Sequence, residues 1–455
     1  MPTATSIASA TSATKTGAPD TDTDAHAPVV ADRATLLGGW RAGRSADLRS
    51  HLAHHGPPPL PGPGDSSWPG RFVATIEASG LTGRGGASFP SSIKLRLAAS
   101  ARPRPTLVVN AMEGEPASAK DRILLSCVPH LVLDGAELAA CVLGAERIVV
   151  CVVHDQRATF DNIVRAVTER AGTALAPVPV EVRCAPGRYV AGEESALVSW
   201  LNSGPGAPGW RPDKGVALKI GRGAALVHNA ETLGHMALIA RYGPMSFRDA
   251  GGADSPGTAL VTVSGGVAHP GVYEIAMGTT LGDVIAMARP TEAVMAVLTG
   301  GFGGGWVSDA ALGTPYTPRA LGAVGGAVGP GVLVVLPRRA CGIAETARLA
   351  RYMAGESAGQ CGPCVFGLPA LAQDLERLAA GSPDPGALAR LGAHIAAVDG
   401  RGACRHPDGV ARMVRSALSV FSDDVAAHTA GRPCAAVHGP SVLPPTIWAH
   451  GEPTP

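Results

Sequence analysis

Two short runs, residues 106–110 and 147–153, are apolar over most of their length, residues 178–184 read as a further strand, and the stretches between them, 131–143 and 160–171, carry helical apolar spacing. A run that is apolar throughout, rather than at alternate positions, fits a strand buried on both faces. Strand–helix–strand alternation with short connections is the pattern of an α/β layer. The fold class is therefore read as α/β, and the other segments are read around this layer.

Residues 1–68 are expected to be a disordered arm and linker. The first part is Ala, Thr, Ser, Asp and Pro without periodicity. A short helix is allowed between Leu36 and His55, and the proline-rich stretch from Gly56 to Gly64 ends it. The α/β domain then covers 69–250. Two alternating strands at 259–264 and 271–275, followed by a Thr-capped helix, suggest a small β-grasp-like module over 251–337. From Cys341 the pattern is helical, giving a bundle over 338–430 and a loose Pro-rich tail over 431–455.

With 38 basic and 37 acidic residues, the chain offers no polybasic surface for nucleic acid. No stretch reads as a membrane span, and no charged segment followed by an apolar one marks a secretory signal. A cytoplasmic location is the expectation. The cysteines number nine, too sparse for a disulfide scaffold. Cys127, Cys141, Cys151 and Cys184 lie in apolar runs and read as core thiols, whereas Cys361, Cys364 and Cys404 lie among Gly, Arg and Gln.

Five motifs carry chemistry. Gly83-Arg84-Gly85-Gly86, followed by Phe89, Pro90 and Lys94, can bring backbone N–H groups and positive charge to an anion. Asn110, Glu113 and Glu115 follow a strand end, where α/β proteins bind ligands. Tyr189, Gly192, Glu193 and Glu194 precede a helix, where acids also suit the dipole as plain caps. Asn229 and Thr232 sit at a strand-to-helix junction. Cys361-x2-Cys364 with the distant Cys404 has the character of a metal or iron–sulfur site.

In this order the motifs resemble the family of the flavin-carrying NADH dehydrogenase subunit of respiratory complex I, with its relatives in NAD-linked hydrogenases. The resemblance runs from about residue 70 to 430. It implies a Rossmann-like FMN-binding domain, a β-grasp domain of the soluble-ligand-binding (SLBB) type and a cluster-bearing helical bundle. It also implies FMN, NADH and a [4Fe–4S] cluster as cofactors, and a small ferredoxin-like iron–sulfur partner subunit, with the assembly peripheral to the inner face of the membrane. By resemblance, Gly83, Arg84, Gly85, Gly86 and Lys94 hold the flavin phosphate. Asn110, Glu113, Gly192, Glu193, Asn229 and Thr232 complete the flavin pocket. Phe89 stacks on the dinucleotide, Arg211 faces it, and Glu115, Tyr189 and Glu194 hold NADH for reaction.

Departures from the family pattern are as informative. Met112, His228 and Leu97 replace an acid, an asparagine and an aromatic. Ala358 stands where the family has its first cluster cysteine, leaving Cys361, Cys364 and Cys404. Three outcomes stay open: no cluster, a three-cysteine cluster with a ligand such as Ser357, or a fourth thiolate from Cys341. The alternative function is a cluster-less paralogue acting as a flavin- or dinucleotide-binding assembly module.

Overall fold

A computed structural model describes residues 32–101, 103–209, 218–382 and 384–443. The central sheet runs in the order Val180–Ala185, Arg147–Val153, Thr106–Ala111, Gly223–Asn229, Lys219–Ile220. The first four strands are parallel, and only the short edge strand is antiparallel. Leu107, Val108 and Val109 in the middle strand and Val150, Cys151 and Val152 beside it are fully buried, as continuous apolar runs require. The helix Pro129–Leu143 is buried nearly all round. It packs so tightly against the helix Ala230–Arg248 that a Cβ on Gly135 would overlap the Leu233 carbonyl, so only glycine fits there.

The second sheet has the order Gly305–Ser308, Val294–Thr299, Val332–Pro337, Thr258–Gly265, Gly271–Ala276. Val332–Pro337 runs parallel to Thr258–Gly265 and every other pair is antiparallel, the β-grasp arrangement. Thr280 caps its helix, Leu281–Met287, by accepting from the Asp283 N–H at 3.2 Å. The last module holds the helices Gly342–Gly355, Leu368–Ala379, Ala387–Val398, His406–Val420 and Ser422–Thr429. One core serves both this bundle and one face of the β-grasp sheet, with Trp306 edge-on to Phe421 at 5.3 Å.

The expectation of a loose arm to residue 68 needs correction for the part described. Residues 1–31 lie outside the described residues, but from residue 32 the chain is folded onto the body. Leu36 is fully buried, and the N–H groups of Leu36 and Leu37 donate to the Glu274 carboxylate at 2.7 and 2.9 Å. The helix Leu48–His55 places His51 Nε2 2.7 Å from Asp134, a fully buried acid that also pairs with Arg170 at 2.8 Å and with Arg241. The Arg241 guanidinium also donates to the carbonyls of His55 and Gly56, each at 3.2 Å. Scattered apolar residues, Leu36, Leu37, Leu60 and Trp68, and a few polar groups seat the segment, too weak a pattern to read without its partners. The tail is likewise anchored as far as Leu443, where Ser441 and Val442 donate to Glu345. Leu36→Ala is expected to cost about 2–5 kcal/mol, read as a fall in the denaturant midpoint, because a buried leucine leaves a cavity. A loose arm would show no change.

Candidate active site

Polar groups gather at the carboxyl ends of the two central strands. Asn110 and Asn229 are register partners there. Asn110 donates to the Gly192 carbonyl at 2.8 Å and accepts from the Met112 N–H at 3.1 Å. Asn229 caps the helix Ala230–Arg248, accepts from Lys120 at 2.9 Å and donates to Asp121 at 2.8 Å. Lys120, 2% exposed, also bonds Glu231 at 2.9 Å and Asp121 at 3.1 Å. Burial pushes the Glu231 carboxyl up, but Lys120, His235 and Arg84 together outweigh it and hold the group at about 2. The other Glu231 oxygen accepts from the Leu260 N–H at 2.9 Å, so this ionic knot joins the first sheet to the second.

The Gly83–Gly86 loop folds over this end of the sheet, closed by Gly83 N–H donating to the Phe89 carbonyl at 2.9 Å. The Arg84 N–H donates to Thr232 Oγ1 at 2.9 Å, which makes Thr232 the anchor of the loop. The Arg84 guanidinium turns to the β-grasp side and donates to the Pro256 carbonyl at 3.1 Å. Lys94 donates to the Val227 carbonyl at 2.6 Å and pairs with Glu194 across the pocket. Glu193 accepts from the N–H groups of Ser195 and Ala196 at 2.9 and 3.1 Å and so acts as the helix cap. Phe89, Ile93 and Leu97 are exposed on the rim, at 47%, 40% and 62%. Arg211 lies outside the described residues.

Glu115 occupies the junction of all three modules. Its Oε2 accepts from the Phe302 N–H at 2.9 Å and the Tyr189 hydroxyl at 3.2 Å. Burial pushes this carboxyl up to about 7, against the pull of those bonds. A Cβ on Gly301 would overlap the Glu115 carboxylate, so the glycine-rich loop closes on it only without a side chain. Tyr189 stands edge-on to His406 at 5.4 Å, and its N–H donates to Glu356 at 2.9 Å. Sequence reasoning missed Phe302, the 300–305 loop and Glu356. The run Gly300-Gly301-Phe302-Gly303-Gly304-Gly305 was the signal available.

Cys361, Cys364 and Cys404 come together beside this junction. Burial raises Cys361, but N–H groups from Ala403 and Cys364 and the Cys364 thiol outweigh it and lower the group. Burial and the neighbouring Cys361 push Cys364 up to about 12, although its sulfur accepts from the Ala358 N–H. Burial also raises Cys404, whose sulfur accepts from the His406 N–H and feels the charge of Glu193. Ala358 thus lies at the missing corner with only a backbone group to offer. Cys341 does not replace it. It caps the far end of the 14-residue helix Gly342–Gly355, about 21 Å away at 1.5 Å per residue.

The arrangement fits the groups that the motifs imply, with one exception. Glu113 Oε2 and His228 Nε2 are buried around the pocket without a protein partner, and unsatisfied buried polar atoms are rare unless a ligand or water meets them. Burial raises the Glu113 carboxyl, helped by the Asp121 charge. Burial, aided by Lys94, holds His228 well below its usual range and therefore neutral. These donors and acceptors suit a flavin mononucleotide, and the exposed Phe89 face suits a nucleotide base. The cysteine site fits three attachment points of an iron–sulfur cluster and lacks the fourth thiolate.

Three family models match the chain: the Nuo51 FMN-binding domain at residues 76–237, the SLBB domain at 260–289, and the NADH-ubiquinone oxidoreductase-F iron-sulfur binding region at 344–428. The F subunit of the NADH-quinone oxidoreductase of Streptomyces coelicolor is 30% identical over 380 residues, covering 80% of this chain and 84% of that protein. The chain belongs to the family of NADH-quinone oxidoreductase F subunits. Within this family, the F 2 subunit of Rhizobium meliloti is 29% identical, with 80% of this chain and 90% of that protein covered. A chain of an NAD+-reducing [NiFe]-hydrogenase in the H2-reduced state superposes with a TM-score of 0.73 at 31% identity. The match covers 81% of this chain and 63% of the length of that hydrogenase chain. The α/β, β-grasp and helical architecture expected from the sequence is the one found.

Proposed function

We propose that this chain is the flavin-dependent electron-input subunit of an NADH dehydrogenase-type assembly, accepting hydride from NADH and passing electrons to an iron–sulfur centre or ferredoxin-like partner subunit, and ultimately to quinone or another acceptor. The observation that carries this reading is the Glu115–Tyr189–Phe302 junction, placed between the asparagine-lined pocket and the cysteine loop. FMN, when bound, supplies the conversion of two-electron hydride chemistry into one-electron transfer. The chain's own residues bind and orient. Asn110, Glu113 and Asn229 line the flavin pocket, Lys94 and the Gly83–Gly86 amides serve its phosphate, and Gly192 fixes Asn110. Glu193 and Thr232 support that pocket from behind, as cap and loop anchor. Phe89 offers a stacking face, while Glu115, Tyr189 and Glu194 hold the nicotinamide nucleotide. Cys361, Cys364 and Cys404 hold the cluster on three sides, and Ser357 is the nearest non-cysteine group in sequence to the missing corner.

We divide the folded chain at about residues 250 and 337, with the segment from residue 32 counted in the first unit. Among the described residues no single helix is long and apolar enough to cross a membrane. A cytoplasmic site at the inner face of the membrane, reached through partner subunits, accords with this.

Protein purified without air should be yellow, release FMN on denaturation and reduce ferricyanide with NADH. After brief exposure to air it should show a [3Fe–4S]-type resonance, because three thiolates leave one corner weakly held. Cys361→Ser should remove iron and resonance and leave FMN. Ala358 supports the second reading, the cluster-less assembly module. Full FMN content with no iron in the wild-type protein would favour it. Colourless protein that takes up no FMN would overturn both the flavin assignment and the proposed activity.

A further inference from the structure

Cys341, His428 and Cys434 meet far from the pocket, at the outer end of the bundle. Their ligand atoms all lie within 4.8 Å of one another, and Cys341 and His428 are buried while Cys434 is half-buried. Each comes from a different segment. Cys341 caps the helix Gly342–Gly355 and accepts from the Ala344 N–H at 3.4 Å. His428 lies in the last turn of the helix Ser422–Thr429, and Cys434 precedes the short turn Ala435–His438 in the tail.

The imidazole is oriented from behind. His428 Nδ1 lies 3.1 Å from the carbonyls of both Leu378 and Ala379, which accept only if that nitrogen carries the proton. The other nitrogen then presents a lone pair toward the sulfurs. Nε2 is 3.8 Å from Cys341 Sγ and accepts from the Cys434 N–H at 3.2 Å. A carbonyl behind one ring nitrogen, with the lone pair of the other directed at the sulfurs, is the outer-shell pattern of a metal-bound histidine. By contrast, Cys361, Cys364 and Cys404 do not form such a group within 4.8 Å. A single tetrahedral ion with sulfur bonds near 2.3 Å holds its sulfurs about 4 Å apart, whereas a cluster spreads them.

We propose that Cys341, His428 and Cys434 form a second metal site, separate from the cluster loop, that takes a single borderline-soft divalent cation of the Zn²⁺ type. Two sulfurs and one imidazole are the donors such a cation prefers over oxygen-seeking ions. Water completes the fourth corner through the half-buried Cys434 side. Binding exchanges the Cys434 N–H bond at Nε2 for the metal. Both S–H bonds break, two sulfur–metal bonds form, and two protons leave to solvent. Because both thiols must lose their protons to bind the cation, affinity rises with pH. The site would clip the tail onto the bundle.

The full chain, purified anaerobically with its flavin and desalted, is titrated with Co²⁺ as the probe. Wild type should take up about one equivalent with sulfur-to-cobalt charge-transfer and tetrahedral d–d absorption, and Zn²⁺ should bleach both. Loss of an outer-shell partner alone costs about 10-fold in metal affinity, so Cys434→Ser should weaken binding by at least that while keeping its flavin. Cys361→Ser should keep the bands. In wild type, Zn²⁺ should also protect Cys341 and Cys434 from alkylation, mapped by peptide mass, a readout that needs no variant. The proposal is overturned by the absence of the bands, by bands lost in Cys361→Ser but kept in Cys434→Ser, by unprotected thiols, or by a Cys341–Cys434 disulfide in the anaerobic protein.

Discussion

Lys120→Met should destabilise the protein by about 3–5 kcal/mol, the cost of leaving buried charges without their partner. Lys120 is the cation of a knot in which Glu231 and Asp121 are also almost fully buried. Burial opposes the charge on Lys120, but Asp121 and Glu231 raise it further, so it stays protonated throughout the working range. In wild type the Glu231 carboxyl sits at about 2, below its unfolded value of 4.5. Its stabilisation is therefore complete above the unfolded value and is lost as pH falls toward 2. Removing Lys120 reverses the sign. Burial already raises Asp121 in the wild type and, without Lys120, lifts Glu231 as well, so the variant should gain stability as pH drops from neutral toward 5. Denaturant unfolding of wild type, Lys120→Met and Lys120→Met/Glu231→Gln at two pH values checks this. The double variant should recover part of the loss, because its two sites are coupled. Additive effects at all pH values would count against the knot. Since Glu231 also holds the Leu260 N–H, flavin content should fall with stability in the single variant.

Glu115→Gln should lower kcat/KM for NADH by about 30-fold or more while leaving FMN bound. A hydrogen bond to a charged group is worth about 2 kcal/mol, and each 1.4 kcal/mol is tenfold in rate. The carboxyl sits at about 7 because of burial. Its ionisation thus falls in the range where activity is measured, and wild-type kcat/KM should change between about pH 6 and 8 while the amide variant stays flat. The stability effect has the sign of a raised acid. The folded state binds more protons than the unfolded state between 4.5 and about 7, so stability falls as pH rises through that window. The amide does not titrate, so the variant should lack this part of the pH dependence, read as a shallower slope than wild type over the same window. Tyr189→Phe removes only the hydroxyl that donates to Glu115 and should give a smaller loss in the same direction. Unchanged NADH kinetics in both variants would separate these residues from the dinucleotide.

The sheets and helices are legible in the sequence because each obeys a period. The strand around Val108 is apolar at nearly every position, and the β-grasp hairpin alternates before a Thr280 cap. The helical spacing of the bundle, over 345–354, 368–380, 385–398 and 409–427, gives nearly the observed boundaries, except that the last stretch is two helices, His406–Val420 and Ser422–Thr429, broken at Phe421. Side-chain direction is not legible. Arg84 could face an anion or a neighbouring domain, and contact with the Pro256 carbonyl decides that only in three dimensions. Glu193 allows two readings in sequence, and its bonds to the Ser195 and Ala196 N–H groups make it a cap. Phe302 contributes a backbone N–H, which has no residue-type signature at all. Cys341 looks available to the cluster because sequence separation does not show that a rigid helix intervenes.

The seat of Leu36 has a consequence for synthesis. Its N–H is held by a carboxylate that emerges from the ribosome 238 residues later, and its side chain packs close to Gly234. At about 5–20 residues per second, the segment waits on the order of 10–50 s for its partner. During that interval the Leu36 and Leu37 N–H groups have only water to bond, although the partners of the following helix, Asp134, Glu169 and Arg241, are made earlier. The polar, weakly patterned character that hides its packing in the sequence is what keeps this segment soluble while it waits. A truncated nascent chain ending before Glu274 should leave Leu36 accessible to protease, and a chain carried beyond it should protect the same site.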